Sequence, residues 1–254
     1  MKMTKRIAAM AVCAVMMGSI ATGNSSVYFN NLIDFSANAA LISDLKLNTT
    51  TTGTLDCRVV QLKTTYSDNS KYYSTGFIIG DNTIASCAHG LYKPDKGGYP
   101  TKVSVFLKRC GNDYEKGFSV SYSKDKKNII VPDNYIKNSS SNYDMGIIYT
   151  NTDLSGYGKF ELNTKYTAYE SHMYKLTGYP HTSDTEYNNV QCYSNGKGTS
   201  TTSSSKLYYT ATSIGGMSGG PVTYNDKVVA VNHGGDSTVS YGTRGISWFE
   251  DKIK

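Results

Sequence analysis

Short segments of alternating apolar and polar residues run through most of the chain, a pattern typical of β-strands. In residues 102–108, valine, phenylalanine and leucine alternate with polar residues. Apolar and β-branched residues concentrate in 57–63 and 72–79, and again in 227–232. Glycine, aspartate and asparagine at 80–82 form a typical turn between two such segments. The pattern predicts an all-β protein built from many short strands.

The two ends of the chain depart from this pattern. Residues 41–53 end in asparagine, threonines and glycine, which predicts a polar linker. Residues 245–248 are a strand candidate, but 247–254 contain helix formers and predict a short terminal helix. A turn-rich joint at 153–158 separates two stretches of strand candidates.

The first residues predict an export signal. Three basic residues within 1–6 precede an uncharged apolar run at 7–17, which is too short to span a membrane comfortably. Small residues favour cleavage after Ala21 or after Ala39. We therefore expect a signal peptide, with a possible pro-segment, within residues 1–39 and a secreted, extracellular protein. An uncleaved membrane anchor is the alternative.

Composition and charge exclude several classes of protein. The 254 residues are 39% hydrophobic and 18% charged, as in ordinary globular proteins and unlike disordered chains. The 24 glycines and 22 tyrosines suit strands and turns. The formal charge is +6, but lysines are interspersed with aspartates and polar residues, as at 124–127. This is typical of a solvated surface, so no nucleic-acid partner is expected.

The five cysteines leave their oxidation state open. Cys13 lies in the signal, and Cys57, Cys87, Cys110 and Cys192 allow three pairings. An exported protein can use them as disulfides, and buried free thiols are the alternative. No C-x-x-C spacing occurs, so we expect neither a metal site nor another cofactor.

Three local patterns place reactive side chains at the ends of predicted strands. His89 follows a strand candidate at 83–88, and Asp144 immediately precedes a buried one. Ser218 has two glycines close on each side, and a strand begins at Pro221. Glycines allow a tight turn that exposes backbone N–H groups. Together the three residues predict a catalytic serine.

The chemistry requires these three residue types. A serine hydroxyl is a weak nucleophile, so it needs a base, and the base needs an orienting group. The order His, Asp, Ser differs from that of subtilisin-like proteases and of α/β-hydrolases. A lipase or esterase is a further alternative, but the predicted strand at Pro221 replaces the helix that such enzymes need after the serine.

Five sequence strings carry a family resemblance: "GFIIGDNTIASCAHGLY", "YDMGIIYT", "LTGYPHTS", "IGGMSGGPV" and "VVAVNHGG". From about Cys57 onward the chain resembles chymotrypsin-like serine proteases, most closely the bacterial glutamyl endopeptidases. The resemblance implies two six-stranded antiparallel β-barrels with the active site between them. The first barrel would comprise residues 40–155, and 156–254 would form the second barrel and the C-terminal helix.

The resemblance also implies residue roles. Ser218 would attack the scissile carbonyl, His89 would accept and return its proton, and Asp144 would hold the imidazole. The N–H groups of Gly216 and Ser218 would form the oxyanion hole. The expected protein is a secreted, monomeric serine endopeptidase that acts on proteins or peptides and does not stay on the membrane after signal cleavage.

Two departures from the digestive members of this family concern activation and disulfides. Met217 stands where those enzymes carry an aspartate that pairs with the new N-terminal amine. A zymogen is still expected, but one not activated through that salt bridge. Many relatives place a cysteine directly after the histidine, whereas here Cys87 precedes it by two residues. By analogy, Cys87 and Cys110 are the preferred disulfide.

Specificity is predicted from four positions. Thr212 replaces the aspartate of trypsin-like enzymes, which argues against cleavage after basic residues. Ser213 matches the hydroxyl of glutamyl endopeptidases. Those relatives also place a histidine on the pocket wall, and here either Asn232 or His233 fills that position, because one residue of register reverses the face. Glu, or Asp, is the expected P1 residue.

Other functions stay open at this point. One alternative is a serine protease that prefers apolar P1 residues. Another is a secreted, non-catalytic binding or adhesion protein on a protease scaffold. His172 and His181 are expected to have no catalytic role.

Overall fold

A computed structural model describes residues 45–48, 54–183, 186–199, 203–236 and 238–253; the predicted signal at 1–39 lies outside them. The strands are β1 (Lys46–Asn48), β2 (Val59–Thr65), β3 (Lys71–Gly80), β4 (Thr83–Ser86), β5 (Lys102–Leu107), β6 (Lys116–Ser121), β7 (Ile129–Ile130), β8 (Gly146–Tyr149), β9 (Met173–Gly178), β10 (Gln191–Lys197), β11 (Lys206–Tyr209), β12 (Pro221–Tyr224), β13 (Lys227–Gly235) and β14 (Ser240–Thr243). The α-helices are α1 (Ala88–Leu91) and α2 (Asp133–Asn138), and 3-10 helices occupy Pro94–Lys96, Ser141–Tyr143, Ser155–Tyr157 and Ile246–Lys252.

The strands form two antiparallel sheets. The first has the order β6-β5-β2-β3-β4-β8-β7, and the second has the order β1-β10-β9-β12-β13-β14-β11. The predicted all-β class is confirmed, with seven strands in each sheet among the described residues instead of six. The predicted terminal helix is confirmed as the 3-10 helix Ile246–Lys252.

Strand β1 joins the second sheet although it precedes the whole first sheet in the chain. Lys46 pairs with Tyr193 of β10, and Leu45 is buried in the core of the second sheet. The expected polar linker therefore contains a strand. The other strands of the second sheet all follow residue 172.

Three apolar clusters form the core. The first sheet encloses a cluster that includes Leu62, Val105 and Ile148, and the second sheet encloses one that includes Tyr174, Leu176 and Val222. The third cluster contains residues of both sheets and of the terminal 3-10 helix, among them Phe77, Val231 and Phe249. Burial of each such side chain contributes about 1.5–3 kcal/mol, so the third cluster fixes the two sheets against each other.

The four cysteines beyond the predicted signal are all free thiols, so the preferred Cys87–Cys110 disulfide is wrong. Cys87 is buried in the cluster between the sheets. Cys110 lies instead in a turn whose backbone bridges Asp113 and Val190. Within the described part of the chain, no helix has the length and apolar character needed to cross a membrane.

Candidate active site

Antiparallel pairing of β4 with β8 brings the predicted base and its acid together. Ser86, at the end of β4, pairs with Gly146, at the start of β8. His89 lies in α1, just after β4, and Asp144 lies just before β8. Because antiparallel strands place the end of one beside the start of the other, both side chains reach the same edge of the first sheet.

Asp144 binds His89 through two hydrogen bonds. Oδ1 accepts from the His89 backbone N–H at 2.8 Å, and Oδ2 lies 2.7 Å from Nδ1 of the ring. An ionised carboxylate only accepts hydrogen bonds, so Nδ1 carries the proton. In the neutral ring this leaves the lone pair on Nε2, which is the form that a general base needs.

A β-bulge directs His233 to the same carboxylate. The pairing of β13 with β14 shifts register between Asn232 and Gly234, which leaves His233 outside the regular ladder. Its Nδ1 contacts Oδ2 of Asp144, and its ring stacks on Tyr241 with centroids 4.8 Å apart. The structure therefore places His233 on the carboxylate that also binds His89, although the sequence analysis assigned it to substrate binding.

The two imidazoles shift the protonation of this cluster. Burial alone would raise the pKa of Asp144, but the charges and hydrogen bonds of His89 and His233 outweigh it and hold that pKa below its usual range. Burial alone would lower the pKa of His89, yet neighbouring Cys87 and Asp144 raise it well above 6.5. Asp144 is fully buried, whereas the His89 side chain is 31% exposed. The arrangement holds a buried carboxylate ionised beside a reachable imidazole.

The other ring nitrogen of His89 faces a thiol. Sγ of Cys87 lies 3.7 Å from Nε2. Ser218 Oγ donates instead to the backbone carbonyl of His233, at 2.9 Å. Among the described residues, no hydrogen bond joins Ser218 to His89. The sequence analysis did not assign Cys87 to the site, although its position two residues before the histidine was the available signal.

Two glycines with positive φ shape the loop around Ser218. Gly216 has φ +89° and Gly219 has φ +84°, values that other residues rarely adopt. A Cβ on Gly219 would lie 2.2 Å from Ser86 Oγ and 2.3 Å from the Thr75 carbonyl oxygen. Only glycine lets the loop approach the first sheet this closely.

Thr75, on β3, fixes the same loop from the first sheet. Its N–H donates to the Ser218 carbonyl at 2.8 Å, and its Oγ1 donates to the Gly216 carbonyl at 2.8 Å. Thr75 therefore supplies a hydrogen-bond donor to both carbonyls. The N–H groups of Gly216 and Ser218 donate to none of the described residues, so both stay available to an incoming oxygen.

A polar network surrounds the predicted specificity residues. Asn232 Nδ2 donates to Ser213 Oγ at 2.9 Å and to the Met217 carbonyl at 3.0 Å. The buried Tyr209 hydroxyl donates to Asn232 Oδ1 at 2.6 Å, a contact that the sequence analysis missed. Ser213 and Asn232 therefore lie together. Thr212 is buried beside them, and its N–H donates to Ser194 Oγ.

The remaining histidines lie apart from the carboxylate. His172 stacks on Tyr224, with ring centroids 4.2 Å apart. The His181 ring stacks on Tyr73, with centroids 3.9 Å apart, and the backbone N–H of His181 donates to the Gly215 carbonyl. His181 thus supports the loop that carries the two candidate oxyanion donors.

Comparison with known proteins settles the family. A family model described as trypsin matches residues 51–247. The chain belongs to the trypsin family. An extracellular metalloprotease of Bacillus subtilis (strain 168) is 28% identical over 195 residues, which cover 73% of this chain and 58% of that protein. The chain thus spans 58% of the length of this curated relative.

Solved structures of trypsin-family proteins share the fold. A Glu endopeptidase superposes with a TM-score of 0.67 and 21% identity, covering 82% of this chain and 94% of its own. The scabies mite inactivated protease paralogue S-D1 superposes with a TM-score of 0.61 and 16% identity, with the same coverage. The resemblance to chymotrypsin-like serine proteases is confirmed.

The name of the Bacillus relative mentions a metal, and one cluster of this chain could be considered for it. Single ligand atoms of Cys87, His89 and Asp144 lie within 4.8 Å of one another. A catalytic zinc ion needs three protein ligands on one ion. Asp144 already binds Nδ1 of His89, whereas Cys87 faces Nε2, so the carboxylate and the thiol lie at different nitrogens of one ring. The three residues therefore do not fit a three-ligand catalytic metal site.

Proposed function

We propose that this trypsin-family protein is a serine endopeptidase, with Ser218 as nucleophile, His89 as general base and Asp144 as the orienting acid. The paired hydrogen bonds that buried Asp144 accepts from the backbone and ring of His89 carry this proposal. They fix both the position of the imidazole and its tautomer, which is the function of the acid in a Ser-His-Asp mechanism.

Catalysis in this proposal begins with a turn of the Ser218 hydroxyl from the His233 carbonyl toward His89 Nε2. Oγ then attacks the scissile carbonyl while His89 takes its proton. The unpaired N–H groups of Gly216 and Ser218 stabilise the resulting oxyanion. His89 next gives the proton to the leaving amine, and water hydrolyses the acyl-enzyme by the same route.

Labelling with a fluorophosphonate probe tests the nucleophile. We expect the mature protein to become labelled and Ser218→Ala to abolish the label. Ser121→Ala is the matched control, because Ser121 is an exposed residue of β6, outside the site. A folded mature protein that never reacts would contradict the proposal.

Two observations favour a second candidate, a non-catalytic binding protein. Ser218 Oγ donates to the backbone carbonyl of His233 and not to His89. In addition, one structural relative is an inactivated protease. This candidate predicts no labelling by the probe and no peptide cleavage. The same experiment therefore decides between the two functions.

The proposed substrates are proteins or peptides with Glu, or Asp, at P1. Ser213 Oγ accepts a hydrogen bond from Asn232, so its own proton can be donated to a substrate carboxylate. The Glu endopeptidase structural relative supports this preference. His233 is committed to Asp144, so recognition would rely on neutral donors.

Neutral donors set the expected degree of selectivity. A hydrogen bond to a charged group is stronger than one to a neutral group by about 1 kcal/mol, so we expect Glu to exceed Gln by only about fivefold. Peptides that differ only at P1 measure this ratio, and Ser213→Ala should reduce it. Uniform cleavage after large apolar residues would favour the alternative apolar pocket.

Export is part of the proposal. The basic and apolar residues before 18 predict secretion, followed by removal of residues up to 39 with any pro-segment. Sequencing the N-terminus of protein recovered from the culture medium tests this. Recovery only from the cell membrane, with an intact N-terminus, would favour the uncleaved anchor.

A further inference from the structure

Cys87 and His89 present a sulfur and a nitrogen at the spacing of two ligands of one tetrahedral metal ion. A zinc ion binds thiolate at about 2.3 Å and imidazole at about 2.0 Å, which places tetrahedral S and N ligands about 3.6 Å apart. Cys87 Sγ and His89 Nε2 lie 3.7 Å apart. The observed spacing of the two atoms therefore matches that of two ligands of one ion.

The tautomer of the neutral imidazole also suits metal binding. In that tautomer Asp144 accepts the proton of Nδ1, so the lone pair of Nε2 faces the thiol. A carboxylate that holds the far nitrogen of a ligating histidine is the usual outer partner of zinc-bound imidazole. Asp144, which cannot join the same ion as a direct ligand, is thus placed to strengthen the binding of one by His89.

The chemistry of the pair selects the class of ion. Thiolate and imidazole are ligands of thiophilic ions such as Zn²⁺ and Co²⁺, whereas Mg²⁺ and Ca²⁺ prefer oxygen. On binding, Cys87 loses its proton to solvent and forms the metal–sulfur bond. Cys87 is buried, and the side chain of the second ligand, His89, is 31% exposed.

We infer that Cys87 and His89 form an inhibitory site for a thiophilic divalent cation. Water or an added ligand completes the coordination. Metal binding occupies Nε2, the atom that must receive the Ser218 proton, and so blocks the base. The inhibition rests on the proposed function of His89, whereas the binding of the metal does not.

Co²⁺ provides a direct test that needs no activity. Added to the metal-free mature protein, it should produce a thiolate-to-cobalt charge-transfer absorption that a chelator removes. Cys87→Ala and His89→Ala should each lose this absorption. Cys57→Ala is the matched control and should keep it, because Cys57 is a free thiol outside the site. Mg²⁺ should have no effect.

Inhibition is measured in the same preparations. Zn²⁺ should inhibit the wild type reversibly, and Cys87→Ala should raise the inhibitory concentration by about 100-fold, since even outer partners change metal affinity by 10–100-fold. Equal inhibition of wild type and Cys87→Ala, or no cobalt–thiolate absorption in the wild type, would overturn the site. Absorption without any proteolysis would support the site while refuting the proposed function.

Discussion

At the scale of single residues, the site is organised around one buried carboxylate. Asp144 accepts hydrogen bonds from two imidazoles, those of His89 and His233, and from the His89 backbone N–H. A buried charge is tolerated only when such partners satisfy it. The same contacts hold its pKa low, which keeps it ionised wherever His89 has to act.

The raised pKa of His89 predicts an alkaline enzyme. A general base must be neutral, so a pKa well above 6.5 moves the acid limb of the kcat/KM profile upward by the same amount. Profiles of kcat/KM against pH, measured in buffer that contains a chelator, should show an acid limb shifted above pH 6.5. NMR titration of His89 in Asp144→Asn should give a lower pKa, because the stabilising charge is lost. An unchanged pKa would contradict the assignment.

The same shifts predict opposite effects on stability. Because folding raises the pKa of His89, its stabilising contribution is present below the unfolded value of 6.5 and is lost as pH rises through the folded value. The lowered pKa of Asp144 contributes above 3.8 and is lost as pH falls through its folded value. Urea unfolding of wild type and Asp144→Asn across this range measures both.

His233 is predicted to be a positioning residue that acts through Asp144. His233→Ala removes a hydrogen bond to a charged group, which corresponds to a fall of about tenfold to a hundredfold in kcat. His233→Asn should rescue much of this loss, because the asparagine amide can donate as Nδ1 does. Peptide kinetics with varied P1 residues should show little change in P1 preference. A loss of Glu preference with kcat intact would return His233 to the substrate pocket.

At the scale of elements, the candidate active site is made by strand ends and one loop. The β4–β8 pairing positions His89 and Asp144, and the loop before β12 carries Ser218. Two hydrogen bonds from Thr75 attach that loop to the first sheet. The conformation of this loop decides whether the oxyanion donors face the cleft.

Gly219→Ala is expected to disrupt this loop. The new Cβ would collide with Ser86 Oγ and the Thr75 carbonyl at a φ of +84°, which costs at least about 1–3 kcal/mol in backbone strain alone. The melting temperature and the rate of probe labelling should both fall. Gly156→Ala is the control, because no heavy atom lies within 4 Å of the added carbon. Equal behaviour of the two variants would refute the tight packing.

Sequence patterns predicted strands best where apolar residues alternate. Residues 102–108 gave β5, but β14 was missed because Ser240–Thr243 is polar and takes its stability from pairing with β11 and β13. The strand candidate at 245–248 lies in the terminal 3-10 helix and its approach. The local sequence pattern does not predict β14, because this strand is stabilised by pairing with residues distant in the sequence.

The site was predictable in part. The contact of His89 with Asp144 agrees with the expected arrangement, because the order and context of these residues reflect strand ends. The place of His233 could not be predicted, since a bulge reverses the alternation on which face assignment depends. The thiol contact of Cys87 depends on the orientation of the imidazole, which local sequence does not encode.

At the scale of the whole molecule, the two sheets are joined by apolar packing and by an ionic clamp. Arg58, just before β2, donates to both carboxylate oxygens of Asp226, at 2.8 and 2.7 Å. Its guanidinium also binds Asp56 and lies 3.8 Å from the Phe160 ring centroid. Since Asp226 lies in the turn between β12 and β13, this contact spans the two sheets.

Arg58→Ala is expected to lower the free energy of unfolding by about 1 kcal/mol, because Asp226 is exposed and solvent weakens the pair. The melting temperature should fall by about 2–4 °C. Lys159→Ala is the control, since Lys159 and Asp81 form an exposed pair in which neither residue belongs to a strand of the second sheet. Calorimetry measures both variants, and equal melting temperatures would show that the clamp contributes nothing.

The pairing of β1 with β10 has a consequence for how the chain folds. Lys46 and Tyr193 are partners although they are separated by about 150 residues, so the loop between them must close before this edge of the second sheet is covered. Between these two strands the chain supplies the entire first sheet. Because β1 pairs, among the described strands, only with β10, this contact has to wait for the chain through Lys197, which makes the pairing of β1 a late step in folding.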